Sequence, residues 1–276
     1  MPPPCRLGRP PGAMVKPPLG LADHLAQTLA IAEAELRKLR HDPVELLTRV
    51  VQPILWLLIF GQVMGRVNAI PTDGLRYVDF LAPGILAQSV VFIAIFYGLS
   101  AIWERDAGVL TKYLVSPAPR SALVLGKALG SGIRSLSQAI VIFTLTALLG
   151  VHLRFNPATI VALLGFAVLG SAVFSTFSLI VACLVKTRER FMGIGQLLTM
   201  PLFFASNAIY PMALMPPWLA TVARFNPLTY LVDALRALML VGAHSIFGLG
   251  LDLAVLVLFL ALLVLVAARL YPTILR

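Results

Sequence analysis

Apolar residues occur along this chain in six long runs, which short polar connections separate. The runs cover approximately residues 47–66, 80–102, 123–150, 158–185, 191–210 and 248–269. A helix needs about 20 apolar residues to cross about 30 Å of hydrocarbon, so each run is long enough to span a membrane. The third and fourth runs exceed that length and are expected to tilt, kink or extend beyond the bilayer. The pattern predicts an all-α, polytopic membrane protein with six transmembrane helices.

Composition agrees with this class, because 59% of the 276 residues are hydrophobic and only 12% are charged. A soluble domain carries about a quarter charged residues. The net charge of +10 does not indicate a nucleic-acid partner, since the basic residues are spread between the apolar runs. With the N-terminus inside, five of the 22 lysines and arginines would be external: Arg66, Arg76, Arg154, Arg224 and Arg236. This bias predicts that both the N-terminus and the C-terminus are cytoplasmic.

The residues before the first run divide into two parts. Residues 1–22 are rich in proline and are predicted to form a disordered tail. Residues 23–42 place leucines at helical spacing and end on Arg37, Lys38 and Arg40, which is typical of an amphipathic helix at the cytoplasmic interface. A soluble helix that packs on a partner is the alternative. Residues 43–276 then form the six-span domain.

Prolines interrupt the stretch between the fifth and sixth runs, at Pro211, Pro216, Pro217 and Pro227. A proline lacks a backbone donor and clashes with the preceding turn, so no single helix crosses all four. Exposed to lipid, such a backbone would leave polar groups unsatisfied. Residues 211–241 are therefore predicted to form short re-entrant helices, shielded by protein or beside a water-filled cavity. An ordinary external loop is the alternative.

The middles of the six runs carry no Asp, Glu, Lys, Arg or His. Ion-driven transporters generally need such groups at depth. The four histidines have no metal-ligand spacing, and Gly126–Lys127 lacks the other residues of a phosphate-binding loop. The chain is therefore predicted to be neither an enzyme nor a metal or cofactor carrier. Energy for transport would come from another protein.

The segment between the second and third runs is the best candidate for receiving that energy. Residues 103–120 read WERDAGVLTKYLVSPAPR, in which a charged, helical stretch ends at Ser-Pro-Ala-Pro. Glu104 and Asp106 are expected to lie beside Arg105 and Lys112. A helix across the cytoplasmic ends of two spans would pass movement into both. A solvated connecting helix is the alternative.

Two separated motifs, ERDAGVL…LVSPAPR…LGK and FNPLTYLVDALR, resemble the ABC-2 type permeases, which are membrane subunits of ATP-binding-cassette exporters. The resemblance covers about residues 24–270 and is strongest to the multidrug, daunorubicin-resistance and lipooligosaccharide branch. It implies six spans, an N-terminal interfacial helix, a cytoplasmic coupling helix and re-entrant helices before the sixth span. It also implies a separate ABC ATPase subunit, which would hold the ATP and Mg²⁺.

The resemblance assigns roles to two groups of residues. The coupling helix would dock into the ATPase through Glu104, Arg105, Asp106, Gly108 and Leu110. The re-entrant gate would contain Tyr210, Asn226, Pro227, Tyr230, Asp233 and Arg236. The family prefers Glu where Asp106 stands and Thr where Val109 stands, and is more acidic around Thr111–Lys112. These departures bear on which ATPase this chain pairs with.

Residue chemistry adds two expectations for the gate. Asn226 precedes Pro227, which disfavours helical backbone at Asn226 and leaves its side chain able to cap the next helix. Asp233 and Arg236, three residues apart, are expected to form an ion pair. Both expectations make these residues structural.

A substrate pathway is expected along the interface of a dimer, on the second and fifth spans. Its lining would be Gln88, Ser89, Phe92, Phe96, Tyr97, Gln196, Thr199, Phe203 and Asn207. Apolar walls with a few uncharged hydrogen-bonding groups suit an amphipathic drug or lipid. The alternative is that these aromatic residues only pack helices together.

These inferences predict a permease subunit of the cell or inner membrane that exports an amphipathic drug or lipid-like substrate, a role associated with antibiotic resistance. Its partners would be the ABC ATPase, membrane lipids and a second permease, identical or related. Three alternatives remain. The first is export of a lipid-linked oligosaccharide or polysaccharide by the same fold. The second is a secondary transporter, which the missing ionisable groups disfavour. The third is a non-transporting membrane assembly protein, which stimulation of ATPase activity in the purified complex would distinguish from an exporter.

Overall fold

A computed structural model of the chain describes residues 51–67, 70–72, 74–108, 120–185 and 187–270. The part of the chain that it describes is almost entirely helical, with one isolated β-bridge. The predicted tail 1–22, the interfacial helix 23–42 and residues 109–119 of the coupling segment lie outside the described residues.

Nine helices account for the described residues outside turns and connections. They are α1 Val51–Val67, α2 Tyr77–Tyr97, α3 Leu99–Asp106, α4 Arg120–Leu148, α5 Pro157–Leu184, α6 Arg188–Phe204, α7 Pro217–Phe225, α8 Pro227–Met239 and α9 Leu249–Leu270. Within α1, residues Trp56–Gly61 form a π-helical stretch. A short 3₁₀ turn, Met212–Leu214, precedes α7.

Four helices in the described ranges are long and apolar enough to cross a membrane. They are Tyr77–Asp106, which joins α2 and α3, and Ser121–Leu148, Pro157–Leu184 and Leu249–Leu270. They coincide with the second, third, fourth and sixth predicted runs. The first and fifth runs correspond to α1 and α6. The described part of α1, Val51–Val67, is apolar, whereas α6 has 17 residues and begins on a charged turn. The chain is thus a multi-pass membrane protein.

The central helix of the bundle is α5, which packs against α2, α4, α8 and α9. Its buried face is rich in small residues, among them Gly170, Ser171 and Ala172. Small side chains let helices approach closely where lipid supplies no hydrophobic drive between them. At Gly170 an added Cβ would fall 2.9 Å from Cδ1 of Leu231 on α8. The small-residue stretch therefore brings α8 into the centre of the bundle.

The proline-broken stretch forms short helical pieces with very different burial. Of the nine residues of α7 only Ala223 is buried, whereas twelve of the 13 residues of α8 are buried. Both helices begin with proline, Pro217 and Pro227, which suits a first helical turn because its N–H groups have no intrahelical acceptor. The prolines thus end one helix and start the next.

A short antiparallel pairing joins the α4–α5 connection to the end of α8. Leu153 forms a bridge with Leu240. On either side, Arg154 N donates to Met239 O at 2.8 Å, and Val241 N donates to His152 O at 3.0 Å. Met239 is the last residue of α8, so the first of these bonds satisfies a carbonyl group that the end of the helix leaves open.

Candidate functional site

The end of the bundle where α3 finishes, here called the Glu104 end, is held by ion pairs between helices. Nζ of Lys127 on α4 lies 2.6 Å from Oε2 of Glu104 on α3, and both residues are buried. A buried charge is tolerated when an opposite charge and hydrogen bonds offset its lost hydration. The pair therefore ties the helix after the second predicted span to the third.

A second pair at the Glu104 end is more exposed. Arg188 at the start of α6 donates to Oδ2 of Asp106 through Nη2 at 2.8 Å and Nε at 3.1 Å. Arg105 donates to Oδ1 of Asp106 at 3.0 Å. The Arg188 guanidinium also lies 5.7 Å from the ring centre of Trp103. Through Glu104 and Asp106, α3 contacts both α4 and α6.

These contacts refine the prediction for residues 103–120. Asp106 lies beside Arg105 as expected, whereas Glu104 is paired with Lys127, a residue that sequence reasoning did not connect to it. The helix α3 ends at Asp106, and Gly108 has φ +70°, a left-handed conformation that favours glycine. Leu110 and Lys112 lie outside the described residues. Contact of this segment with an ATPase stays a prediction.

Asn226 connects α6 to α8, and the predicted cap is confirmed. Its Oδ1 accepts from Leu228 N at 3.0 Å, which caps α8. Its Nδ2 donates to two carbonyl groups at the end of α6, Leu202 O at 2.7 Å and Ala205 O at 2.9 Å. One buried amide therefore satisfies the beginning of one helix and the end of another.

The predicted ion pair between Asp233 and Arg236 is wrong, because the two side chains have different partners. Arg236 donates to Asn207 O at 2.7 Å, and its guanidinium lies 3.9 Å from the ring centre of Phe80. Oδ2 of Asp233 instead accepts from backbone N–H groups of the α8–α9 connection. Both residues face the interior at different turns of α8, so each binds the backbone nearest to it.

The other gate residues make local contacts. The Tyr230 hydroxyl donates to Arg224 O at 2.7 Å, and its ring lies 4.9 Å from that of Phe247. The Tyr210 hydroxyl donates to Phe204 O. The Tyr230 bond joins α8 to α7. The Tyr210 bond joins the turn after α6 to the last residue of α6. We call the end of the bundle that contains the α8–α9 connection the Asp233 end.

The predicted pathway residues divide between a shallow hollow and the interior. Gln88, Ser89 and Phe92 on α2 border a hollow of ≈ 10 Å³, about the room of one water molecule, together with Gln52 and Gln138. The rings of Phe92 and Phe96 lie 4.6 Å apart.

On α6, Gln196 is exposed while Thr199 and Phe203 are buried, and Asn207 is buried just beyond it. The Phe203 ring lies 5.9 Å from Trp56 on α1. This contact favours the packing alternative for Phe203. The pathway assignment of the set as a whole stays a prediction.

The expectation that every run lacks charge at its middle does not hold for α4. Arg134 lies halfway along this helix, and its guanidinium sits 5.1 Å from the ring centre of Tyr97. The aromatic face offers the cation an attractive electrostatic surface where water is scarce. A pathway residue, Tyr97, thus has a charged neighbour.

Sequence reasoning also missed a polar cluster at the Asp233 end. Asp79 is buried in the first turn of α2, where its carboxylate lies 2.8 Å from Nη2 of Arg76 and 3.0 Å from Nδ1 of His152. Arg76 also donates to Gly150 O. The i,i+3 spacing of Arg76 and Asp79 at the start of an apolar run was the available signal.

A further missed cluster surrounds Ser245 in the α8–α9 connection. Its Oγ lies 2.8 Å from Oδ2 of Asp233 and 2.9 Å from Oδ2 of Asp252. Both aspartates have no exposed surface. The signal in the sequence was Asp252 itself, an acid inside the start of a strongly apolar run.

Comparison with known proteins bears on these assignments. The model of the ABC-2 type transporter family matches residues 26–240, which is most of the chain. The chain belongs to the ABC-2 type transporter family. It is therefore the permease of an ABC transporter, and the family implies pairing with an ABC ATPase subunit.

Three relatives illustrate the range of similar proteins. The daunorubicin resistance ABC transporter permease protein DrrB1 of Streptomyces coeruleorubidus is 28% identical over 255 residues, 91% of this chain and 87% of its own. A protein of Cyanophora paradoxa named as the transport permease ycf38 is 30% identical over 203 residues, covering 73% and 70%. Nodulation protein J of Rhizobium leguminosarum bv. viciae is 26% identical over 227 residues, covering 82% and 85%. The permease similarity thus extends over most of each chain.

Proposed function

We propose that this permease exports a bulky amphipathic molecule, a lipophilic drug or lipid-like compound, using ATP hydrolysis by its partner subunit. The observation that carries the proposal is the side-chain chemistry of α2, where Gln88 and Ser89 lie beside Phe92 at the border of a shallow hollow. Amides, a hydroxyl and an aromatic ring offer a few hydrogen bonds within an apolar wall. The similarity to a daunorubicin-resistance permease supports the same substrate class.

The substrate class follows from what such a wall supplies. An inorganic ion loses hydration that an apolar wall does not replace. A small sugar needs many hydrogen-bonding partners, more than the hollow provides. An amphipathic molecule needs only a few, because its apolar part already favours the membrane.

The proposed architecture has six spans, with α1 and α6 as the first and fifth, and two permeases facing each other beside α2 and α6. Both termini lie in the cytoplasm, as the distribution of Lys and Arg favours. In this orientation the Glu104 end is cytoplasmic and the Asp233 end is external. The near-complete burial of α8 supports its placement as a re-entrant helix shielded by protein.

Coupling would begin at the Glu104 end. Arg105, Asp106, Gly108 and Leu110 would contact the ATPase, while Glu104 would pass the movement to α4 through Lys127. Residues 210–236 would close the external end and open when ATP binding draws the two coupling segments together. Gly108→Pro is expected to preserve insertion and to uncouple ATP hydrolysis from transport.

The test is the ATPase activity of the permease reconstituted with its ATPase subunit. Lipids, lipophilic drugs, sugars and salts are compared as stimulants. We expect stimulation by amphiphiles, and Gln88→Leu should change which amphiphile stimulates best. Thr144→Val, on the exposed surface of α4 and outside the proposed pathway, serves as the control. Stimulation by hydrophilic solutes alone would contradict the proposal, and no stimulation at all would favour an assembly role.

A further inference from the structure

Three residues at the Asp233 end form an arrangement that we call the Ser245 bridge: Asp233, Ser245 and Asp252. Asp233 lies in the middle of α8, Asp252 in the first turn of α9, and Ser245 in the connection between these helices. Both carboxyl groups approach the same hydroxyl, and neither aspartate is exposed. Two ionised carboxylates in this position would repel each other with only one hydroxyl between them.

Counting hydrogens at Ser245 Oγ decides how the bridge is bonded. The oxygen has three polar neighbours: Gly248 N at 2.7 Å, Asp233 Oδ2 at 2.8 Å and Asp252 Oδ2 at 2.9 Å. A serine hydroxyl donates once and accepts twice. The Gly248 N–H uses one acceptor position, and the hydroxyl proton serves one carboxyl group. The other carboxyl group can only bond to Ser245 by donating a proton of its own.

The surroundings identify which aspartate carries that proton. Oδ2 of Asp233 accepts from Ile246 N at 2.8 Å and from Phe247 N at 3.2 Å, so donors already converge on it. Donors of this kind favour an ionised oxygen. Among the described residues, Oδ2 of Asp252 has only Ser245 as a hydrogen-bond partner, and Oδ1 of both aspartates is buried without one, so the donors on Oδ2 distinguish the two. An ionised carboxylate at Asp252 would lie uncompensated in a membrane helix.

We propose that Asp252 is a proton-binding site: its neutral carboxylic acid donates to Ser245 Oγ, which donates to the Asp233 carboxylate, and this chain of bonds fastens α8 to α9. The bonding satisfies every position on the hydroxyl. Loss of the proton would place two negative charges on either side of Ser245. The join between α8 and α9 therefore depends on one retained proton.

The charged groups on neighbouring elements leave this assignment intact. Helix α9 packs against α4, α5 and α8. No Asp, Glu, Lys, Arg or His occurs in Pro157–Leu184 of α5. On α8 the charged groups are Asp233 and Arg236, and Arg236 donates to Asn207 O and Phe80 O. The remaining groups are Arg120, Lys127 and Arg134, all between the start and the midpoint of α4, and exposed His244 in the connection.

Infrared difference spectroscopy on the purified full-length permease in lipid nanodiscs tests the proton directly. At neutral pH the wild-type spectrum minus that of Asp252→Asn should contain the carbonyl band of a protonated carboxylic acid. The same band should remain in Asp233→Asn. Absence of the band from the wild-type difference, or its loss in Asp233→Asn with retention in Asp252→Asn, would overturn the proposal.

Thermal unfolding of the same preparations gives an independent ranking. Asp252→Asn should keep the wild-type midpoint, because an amide N–H replaces the acid O–H as donor to Ser245. Asp252→Leu should lower the midpoint, because it offers no donor. Asp233→Asn should also lower it, because the charged acceptor of three donors is lost. A stable Asp233→Asn beside a destabilised Asp252→Asn would place the proton on Asp233 and refute the assignment.

Discussion

The two ends of this permease hold buried charges in different ways. At the Glu104 end, opposite charges on different helices meet directly, as in the 2.6 Å contact between Glu104 and Lys127. At the Asp233 end, Asp79 pairs with Arg76, but the two charges of α8 form no ion pair: Arg236 donates to a backbone carbonyl, and Asp233 accepts from backbone N–H groups. The first end joins helices through pairs of charged side chains, whereas the charges of α8 at the second end are held mainly by main-chain groups.

This difference has a mechanical meaning. An ion pair between two helices can shorten, lengthen or change partners while each helix stays intact. A charge bound to main-chain groups fixes the path of a turn, so its loss changes the local fold. The Glu104 end is therefore suited to movement between helices, whereas the Asp233 end is suited to holding the proline-broken segment in one shape.

The largest effect is expected from breaking the buried ion pair. Glu104→Gln leaves the buried ammonium group of Lys127 without its carboxylate, and we expect the free energy of unfolding to fall by about 3–5 kcal/mol. Denaturant titration of the purified permease measures this. The double variant Glu104→Gln, Lys127→Met removes both charges and should recover much of the loss. Equal stability of the single variant and the wild type would show that the pair does not hold α3 to α4.

An intermediate effect is expected from the two Asn-Pro caps, which provide a matched comparison. Asn226 and Asn156 each accept from a backbone N–H at 3.0 Å at the start of a helix that begins with proline. Asn156 is exposed, whereas Asn226 also binds two carbonyl groups of α6. Asn156→Ala should cost about 1 kcal/mol. Asn226→Ala should cost about 2 kcal/mol or more, since it also leaves acceptors unsatisfied.

Chromatographic yield of folded protein and the unfolding midpoint report both changes. If Asn226→Ala were no more harmful than Asn156→Ala, the bonds to α6 would contribute nothing measurable. An Asn226→Ala variant of wild-type stability with altered substrate selectivity would instead place Asn226 in the substrate pathway.

The smallest effect is expected at the exposed pair of the Glu104 end. The side chain of Arg188 is 49% exposed and that of Asp106 is 35% exposed. Pairs in contact with solvent contribute between 0 and about 1 kcal/mol, so Arg188→Met should change the unfolding midpoint little. Because salt screens exposed charges, a higher salt concentration should remove any difference in unfolding midpoint between Arg188→Met and the wild type. A loss as large as that of Glu104→Gln would show that Arg188 is a structural centre of the coupling segment.

Sequence patterns predicted the apolar helices and the short helices after the prolines because these depend on local residue types. Hydropathy placed the four long spans within a few residues of the helices α2 to α5 and α9. The capping role of Asn226 followed from Pro227 beside it, which restricts the backbone at a single position. Local rules of this kind require no knowledge of tertiary contacts.

Long-range partners were not predictable in the same way. Nothing in the sequence spacing connects Glu104 to Lys127, since the pairing depends on how α3 and α4 pack. The expected Asp233–Arg236 pair was wrong because helical spacing permits a contact without requiring it, and backbone groups of other segments lay closer. The Ser245 bridge likewise needs α8, α9 and their connection to be assembled first.

The backbone pairing between Leu153 and Leu240 cannot form until the end of α8 has been synthesised. Its first segment, after α4, leaves the ribosome before the second, after α8, and until then the carbonyl of His152 and the N–H of Arg154 need other partners. Distant segments that meet late are the slow and vulnerable part of folding. The connection between α4 and α5 should therefore be the region that insertion chaperones and proteases encounter in newly made chains.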